Sequence, residues 1–160
     1  MCTLELNAVD DVTEEFFYAA VDSGAAESVV PNTWFTDVQA RPTMSSEMGT
    51  SYRAANGQLV QDEGEKVIEV MTEDGSMKRL RCTSTGVHRM LLAVSKLVEK
   101  GHEVYFGQKE CYLKHITSGR KLPIHLRRGV YTLKLKRVSG QERTAPDLSA
   151  VSGDRRQAGP

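Results

Sequence analysis

No apolar run in these 160 residues approaches the roughly 18 that a helix needs to cross a bilayer, and hydrophobic residues make up only 39% of the chain. A soluble protein, away from membranes, is expected. The opening residues, MCTLELNAVDD, have neither the basic start nor the apolar stretch of a secretory signal, so a cytoplasmic setting is expected. Cysteine is scarce: Cys2, Cys82 and Cys111 are odd in number and far apart, a pattern that suggests reduced thiols and no disulfide framework or zinc site. His88, His102, His115 and His125 are scattered, and the gap from Cys82 to His88 does not match zinc-knuckle spacing. No metal or other cofactor is expected. There is no Gly-rich phosphate loop, no Ser, His and Asp arrangement and no internal repeat. The length suits one domain with a modest core.

Charge sums to zero but is unevenly placed. Residues 1–75 carry 15 acids against 3 bases, a net of −12, and residues 76–160 carry 6 acids against 18 bases, a net of +12. Such a sequence dipole suits halves that attract each other within a fold or between subunits, or a basic surface for nucleic acid. The basic residues are spread rather than blocked, which favours the first reading. Arg127, Arg128, Lys134, Lys136 and Arg137 are accordingly read as the wet face of a last strand, with direct nucleic-acid binding not expected.

The pattern of elements is that of a β protein. CTLELNAV and EFFYAAV are β-prone runs separated by Asp10 and Asp11, which predicts a hairpin whose second strand delivers Asp22 at its end. Asn32–Thr50 reads as loop with a short strand, anchored in the core by Trp34 and Phe35. Asn56-Gly57 and Asp74-Gly75 are hairpin signals of the type I′ kind. The first hairpin, polar around its tip with Arg53, Asn56, Gln58, Gln61 and Asp62, is expected to project into solvent as a candidate lid. Leu91, Leu92 and Val94 read as a buried strand, and Ser95–Lys100 as a short helix closed by Gly101. A hairpin turning near Gln108 and Lys109 follows. In GVYTLKLKR, Tyr131, Leu133 and Leu135 alternate with Thr132, Lys134 and Lys136, as in a half-buried strand. The sum is a mostly β fold of seven or so strands with one short helix, a small closed barrel over residues 1–138, and a disordered tail over 139–160.

One carboxylate stands out. Asp22 follows Ala19, Ala20 and Val21, precedes a tight turn at Ser23 and Gly24 with small Ala25 beyond it, and is followed by extended Ser28, Val29 and Val30. An Asp after a strand is in itself an ordinary turn residue. With these flanks, however, the segment resembles the active-site stretch of retropepsin-like aspartic proteases. YRAANGQLVQDEG stands where that family has its flap, and MLLAVSKLVEKG where it has an apolar strand leading into a short helix. The family often has Gly just before that helix; this chain has Ala93. Taken with VYFGQKECYLKHITSG, these stretches are most similar to the protease segment of copia-type retrotransposon polyproteins, over roughly residues 3–136.

The resemblance implies an aspartic endopeptidase, in which water held between two carboxylates attacks the peptide bond. No second Asp followed by Ser or Thr and Gly occurs: Asp74 precedes Gly75 directly, and Asp154 lies in the predicted tail. The resemblance therefore implies a twofold homodimer in which each copy supplies Asp22. Ser23 would tie the two loops across the axis, Gly24 would let backbone approach the dyad, and Val21, Ala25, Val29 and Val30 would supply apolar surroundings. Ala55, Asn56 and Gly57 would close over an extended peptide or polyprotein substrate, in the cytoplasm or within a retroelement particle. Two rival readings are a catalytically silent, retroelement-derived dimerisation or binding module and a small β-barrel interaction domain whose acid is incidental.

Overall fold

The computed structural model describes residues 16–138. The strand expected over CTLELNAV and the tail expected over 139–160 lie outside the described residues. The described chain is mostly β, twelve strands rather than seven or so: β1 Phe16–Asp22, β2 Val29–Pro31, β3 Ser51–Arg53, β4 Leu59–Gln61, β5 Glu65–Met71, β6 Met77–Thr85, β7 Leu91–Ala93, β8 His102–Phe106, β9 Cys111–His115, β10 Lys121–Pro123, β11 His125–Arg127 and β12 Val130–Arg137. Two helices, not one, accompany them: α1 Met44–Glu47 and α2 Val94–Glu99. Helix α1 starts where Thr43 accepts a bond from the Ser46 backbone and the Ser46 hydroxyl answers to the Thr43 backbone, a reciprocal capping box built on Ser instead of Glu.

Six strands close a barrel in the order β1, β7, β2, β6, β5, β12, with β12 returning to β1 and β11 appended to β12. The closing seam is antiparallel and pairs Phe16 with Lys136 through to Ala20 with Thr132. The antiparallel neighbour of β1 among the described residues is thus β12, the last described strand. Two parallel pairs, β1 with β7 and β2 with β6, flank the antiparallel contact of Val29 with Leu91. Period-2 burial selects the inner face: Lys66, Ile68 and Val70 of β5 point in, as do Leu133 and Leu135 of β12. Thr132, assigned to the wet face by its alternation, is buried, because its hydroxyl donates to the His125 carbonyl at 2.8 Å.

Phe17, Val30, Ile68, Val70, Met90, Leu92, Leu133 and Leu135 form the core. Trp34 and Phe35 pack on it from one side, their rings edge-on to Phe17 at centroid distances of 6.1 and 5.1 Å. The loop that carries them is fastened by an unusual core member. Lys66 is buried, and its Nζ donates to the carbonyls of Trp34 and Phe35 at 3.0 and 3.3 Å, so the cation is compensated by carbonyl dipoles.

Both glycine-marked hairpins form, as β3–β4 and β5–β6. Their turns are not type I′, which needs positive φ at two successive residues; here only Gly57 and Gly75 have it. Asn56 and Asp74 instead accept backbone N–H groups two residues on, from Gln58 at 2.9 Å and Ser76 at 3.1 Å. A side chain that makes its own turn removes the need for a left-handed backbone at that residue. The bond from the Thr72 hydroxyl, followed by those from Ser76, holds the Asp74 carboxyl below its ordinary range.

Part of the charge dipole of the sequence is spent on ion pairs among the described residues. The pairs Arg79–Glu69, Arg81–Glu65, Lys96–Glu27, Arg120–Asp74 and Arg137–Asp37 each join a base after residue 75 to an acid before it. Arg137 is no simple wet-face residue: it grips Asp37 with two bonds of 2.9 and 2.8 Å.

Candidate functional site

Asp22 is the last residue of β1, beside Ala93, the last residue of β7. A strand that runs through the barrel wall and stops there must turn, and the turn is made by the carboxylate itself: Gly24 N–H donates to Asp22 Oδ1 at 2.8 Å. A Cβ on Gly24 would stand 3.4 Å from that oxygen. Oδ2 takes no hydrogen bond among the described residues. The acid is half-buried, Ser23 and Gly24 are exposed, and Ala25 is half-buried. Val21, Val29, Val30 and Ala93 are buried, so the carboxylate rises from an apolar footing into an open face.

Ser28, which sequence reasoning placed only in an extended segment, holds this corner together. Its hydroxyl accepts the Ala93 N–H at 3.0 Å, and its carbonyl accepts the Thr83 N–H at 2.9 Å. Through it the Asp22 loop is tied to both β7 and β6. Ala93 is fully buried, and its methyl group is accommodated where the resembled family often has Gly.

The hairpin expected as a lid, β3–β4, is a separate two-stranded sheet. Its tip residues Ala55, Asn56 and Gly57 are exposed, and Arg53 Nη1 donates to the Gly57 carbonyl at 2.9 Å. No hydrogen bond joins the tip to Asp22 among the described residues. The base is firm where the tip is free. Asp62, expected near the polar tip, is buried: Oδ1 accepts the Gly64 N–H at 2.9 Å and Oδ2 accepts the Tyr52 hydroxyl at 2.9 Å. Burial, reinforced by the Asp62 carboxylate, pushes the Tyr52 hydroxyl up to about 12. The Thr85 hydroxyl donates to the Gln61 carbonyl at 2.6 Å, and Glu63 N–H to the Ser84 carbonyl at 2.9 Å.

Asp22 and Asp62 share one turn chemistry, an Asp-X-Gly in which the glycine N–H returns to the carboxylate. They differ in what remains. Asp62 has both oxygens engaged in the interior, whereas Asp22 keeps one oxygen open at the surface. Each has Gly two residues on; burial separates the structural acid from the available one.

Among the described residues no three His, Cys, Asp or Glu side chains gather in a way that could hold a metal ion. His102 and His115 lie side by side, ring centroids 5.1 Å apart. Burial, aided by the nearby charges of His115 and Lys78, holds His102 below its ordinary value. Its Nδ1 donates to the Leu97 carbonyl at 3.1 Å. The Cys82 thiol, buried in the wall, is pushed up to about 12 by desolvation and then by Glu65. No helix among the described residues is long and apolar enough to cross a membrane. Compared with known proteins, the chain matches no family model, no curated protein and no solved structure.

Proposed function

We propose that the chain is a retropepsin-like aspartic endopeptidase, most like those that process copia-type retrotransposon polyproteins, and that it works in the cytoplasm as a twofold homodimer. The observation that carries this reading is Asp22: one oxygen oriented by Gly24 N–H, the other open at the mouth of a turn with buried valines behind it. A closed barrel with an exposed hairpin on a firm base supports it.

The chemistry follows from placing two such turns face to face. Two carboxylates within bonding distance cannot both ionise cheaply, so the pair holds one proton. The ionised member takes a proton from a water between them, the protonated member bonds the scissile carbonyl, and the roles reverse as the leaving nitrogen is protonated. Titration belongs to the pair and not to either acid. Ser23, exposed in the single chain, contributes its hydroxyl across the axis. Residues Ala55, Asn56 and Gly57 descend onto an extended peptide and add main-chain hydrogen bonds to it.

The test is cleavage of a peptide library at acid and neutral pH by the wild type and by Asp22→Asn, with sedimentation of both. Cleavage by a dimeric wild type and none by the variant is expected. Equal activity in the two proteins, or a dimer without turnover, sinks the enzyme; the second outcome would leave a silent dimerisation module.

A further inference from the structure

The barrel wall is incomplete along β6. Strand β5 holds one edge of β6 from Met77 to Thr83, but β2 covers the other edge only at Thr83, Ser84 and Thr85. Between Met77 and Cys82 that second edge has no strand on it among the described residues. A cavity of about 590 Å³ runs beside it, and every residue from Lys78 to Thr83 contributes to its lining. Successive side chains of a strand point to opposite faces. Six in a row can line one space only if that space meets the strand edge-on.

The opposite wall is α2 and its C-cap, through Lys96, Leu97 and Lys100, and the floor is the core itself, with Val70, Leu92 and Leu135 showing through. Burial fades along the inward face of β6 accordingly: Cys82 is buried, Leu80 half-buried, Lys78 exposed. The volume falls in the range of true ligand sites, about 300–1,000 Å³. Charge at the rim is lopsided. The acids there are engaged, Glu65 by Arg81 and both Glu27 and Glu99 by Lys96, whereas Lys78 and Lys100 have no carboxylate partner among the described residues.

We propose that this groove binds an extended segment of a partner protein whose groove-facing residues are apolar along the middle and acidic near the ends, added as a strand against β6. Its main chain satisfies the open edge, its central inward side chains fill the floor beside Leu80 and Cys82, and inward carboxylates near its ends meet Lys78, which shares that face, and Lys100. Asp22 does not line the groove, so the site stands whether or not the chain is a protease.

The experiment is an NMR titration of the full chain with a capped peptide of about ten residues, a length that spans the strand, with Val at its central groove-facing positions, Glu at the groove-facing positions near both ends and Thr between them; the same peptide with Lys for Glu serves as control. Expected are saturable shifts at Lys78–Thr83 and Lys96–Lys100, weakened about tenfold or more by Lys78→Glu with Lys100→Glu and unchanged by Asp22→Asn. Equal binding of the lysine peptide, shifts confined to other strands, or no binding at millimolar peptide overturns the proposal. So does slow amide exchange across Lys78–Cys82 on both edges before peptide is added, which would mean that the chain or a second copy already fills the groove.

Discussion

Replacing Gly64 by Ala tests how the root of the β3–β4 hairpin is joined to the barrel. Gly64 has φ +107°, and an added Cβ would lie 2.6 Å from the Arg41 carbonyl oxygen, 3.2 Å from its carbon and 3.4 Å from the Ala40 Cβ. That oxygen accepts Glu65 N–H at 2.8 Å, and Arg41 N–H returns to the Glu65 carbonyl at 2.8 Å. Restoring ordinary contact moves the oxygen about 0.8 Å, which stretches its bond beyond hydrogen-bonding length. Loss of the two bonds costs about 1 kcal/mol each, and a left-handed Ala about 1 kcal/mol more. The sum is about 3 kcal/mol, a fall of roughly 10 °C in Tm for a domain of this size. Gly75→Ala is the internal control: it has φ +86° and nothing within 4 Å of its added Cβ, so only the backbone cost of about 1 kcal/mol applies. Urea unfolding of both variants measures the gap, expected near 2 kcal/mol. Equal losses would refute the claim that contact with Arg41, and not backbone conformation, makes Gly64 irreplaceable.

Phe17→Ala removes a ring that is 2% exposed and edge-on to Trp34 and Phe35; unfolding should show a loss of about 3–5 kcal/mol, and a loss under 1 kcal/mol would mean that the three rings do not pack as a unit. Because burial depresses His102 in the folded chain, the unfolded chain, with its histidine at the ordinary 6.5, takes up a proton that the folded chain refuses. Stability is therefore full above 6.5 and falls as the pH drops from there through the lower folded value; His102→Gln should flatten that slope in urea midpoints measured across the interval. Iodoacetamide at mildly alkaline pH should label half-exposed Cys111 and spare Cys82 until denaturant is added. Label on Cys82 in the folded protein, located by mass spectrometry, would contradict its burial.

What could be read from the residues was local. Gly57 and Gly75 marked real hairpins, the alternation of Leu133 and Leu135 marked a real strand, and Gly101 closes the short helix with φ +88°. Helix α1 escaped notice because its capping box uses Ser46 where Glu or Gln is the usual signal. The roles of Asp62, Ser28 and Lys66 were illegible for a different reason: each depends on a partner brought in by the fold, Tyr52 across a hairpin, Ala93 from β7, and the carbonyls of Trp34 and Phe35. Asp22 could be picked out from its flanks, but its open oxygen could not.

The seam between β1 and β12 sets the schedule on which this protein can assemble. Phe16 to Ala20 meet Thr132 to Lys136, so contacts that complete the wall unite the two ends of the described chain. A ribosome must release almost the whole domain before the strand bearing Asp22 gains its outer neighbour, and closing so long a loop is entropically late and slow. Nascent chains stalled before Val130 should keep β1 accessible to protease, and any carboxylate chemistry at Asp22 would stay dormant until synthesis had passed Arg137.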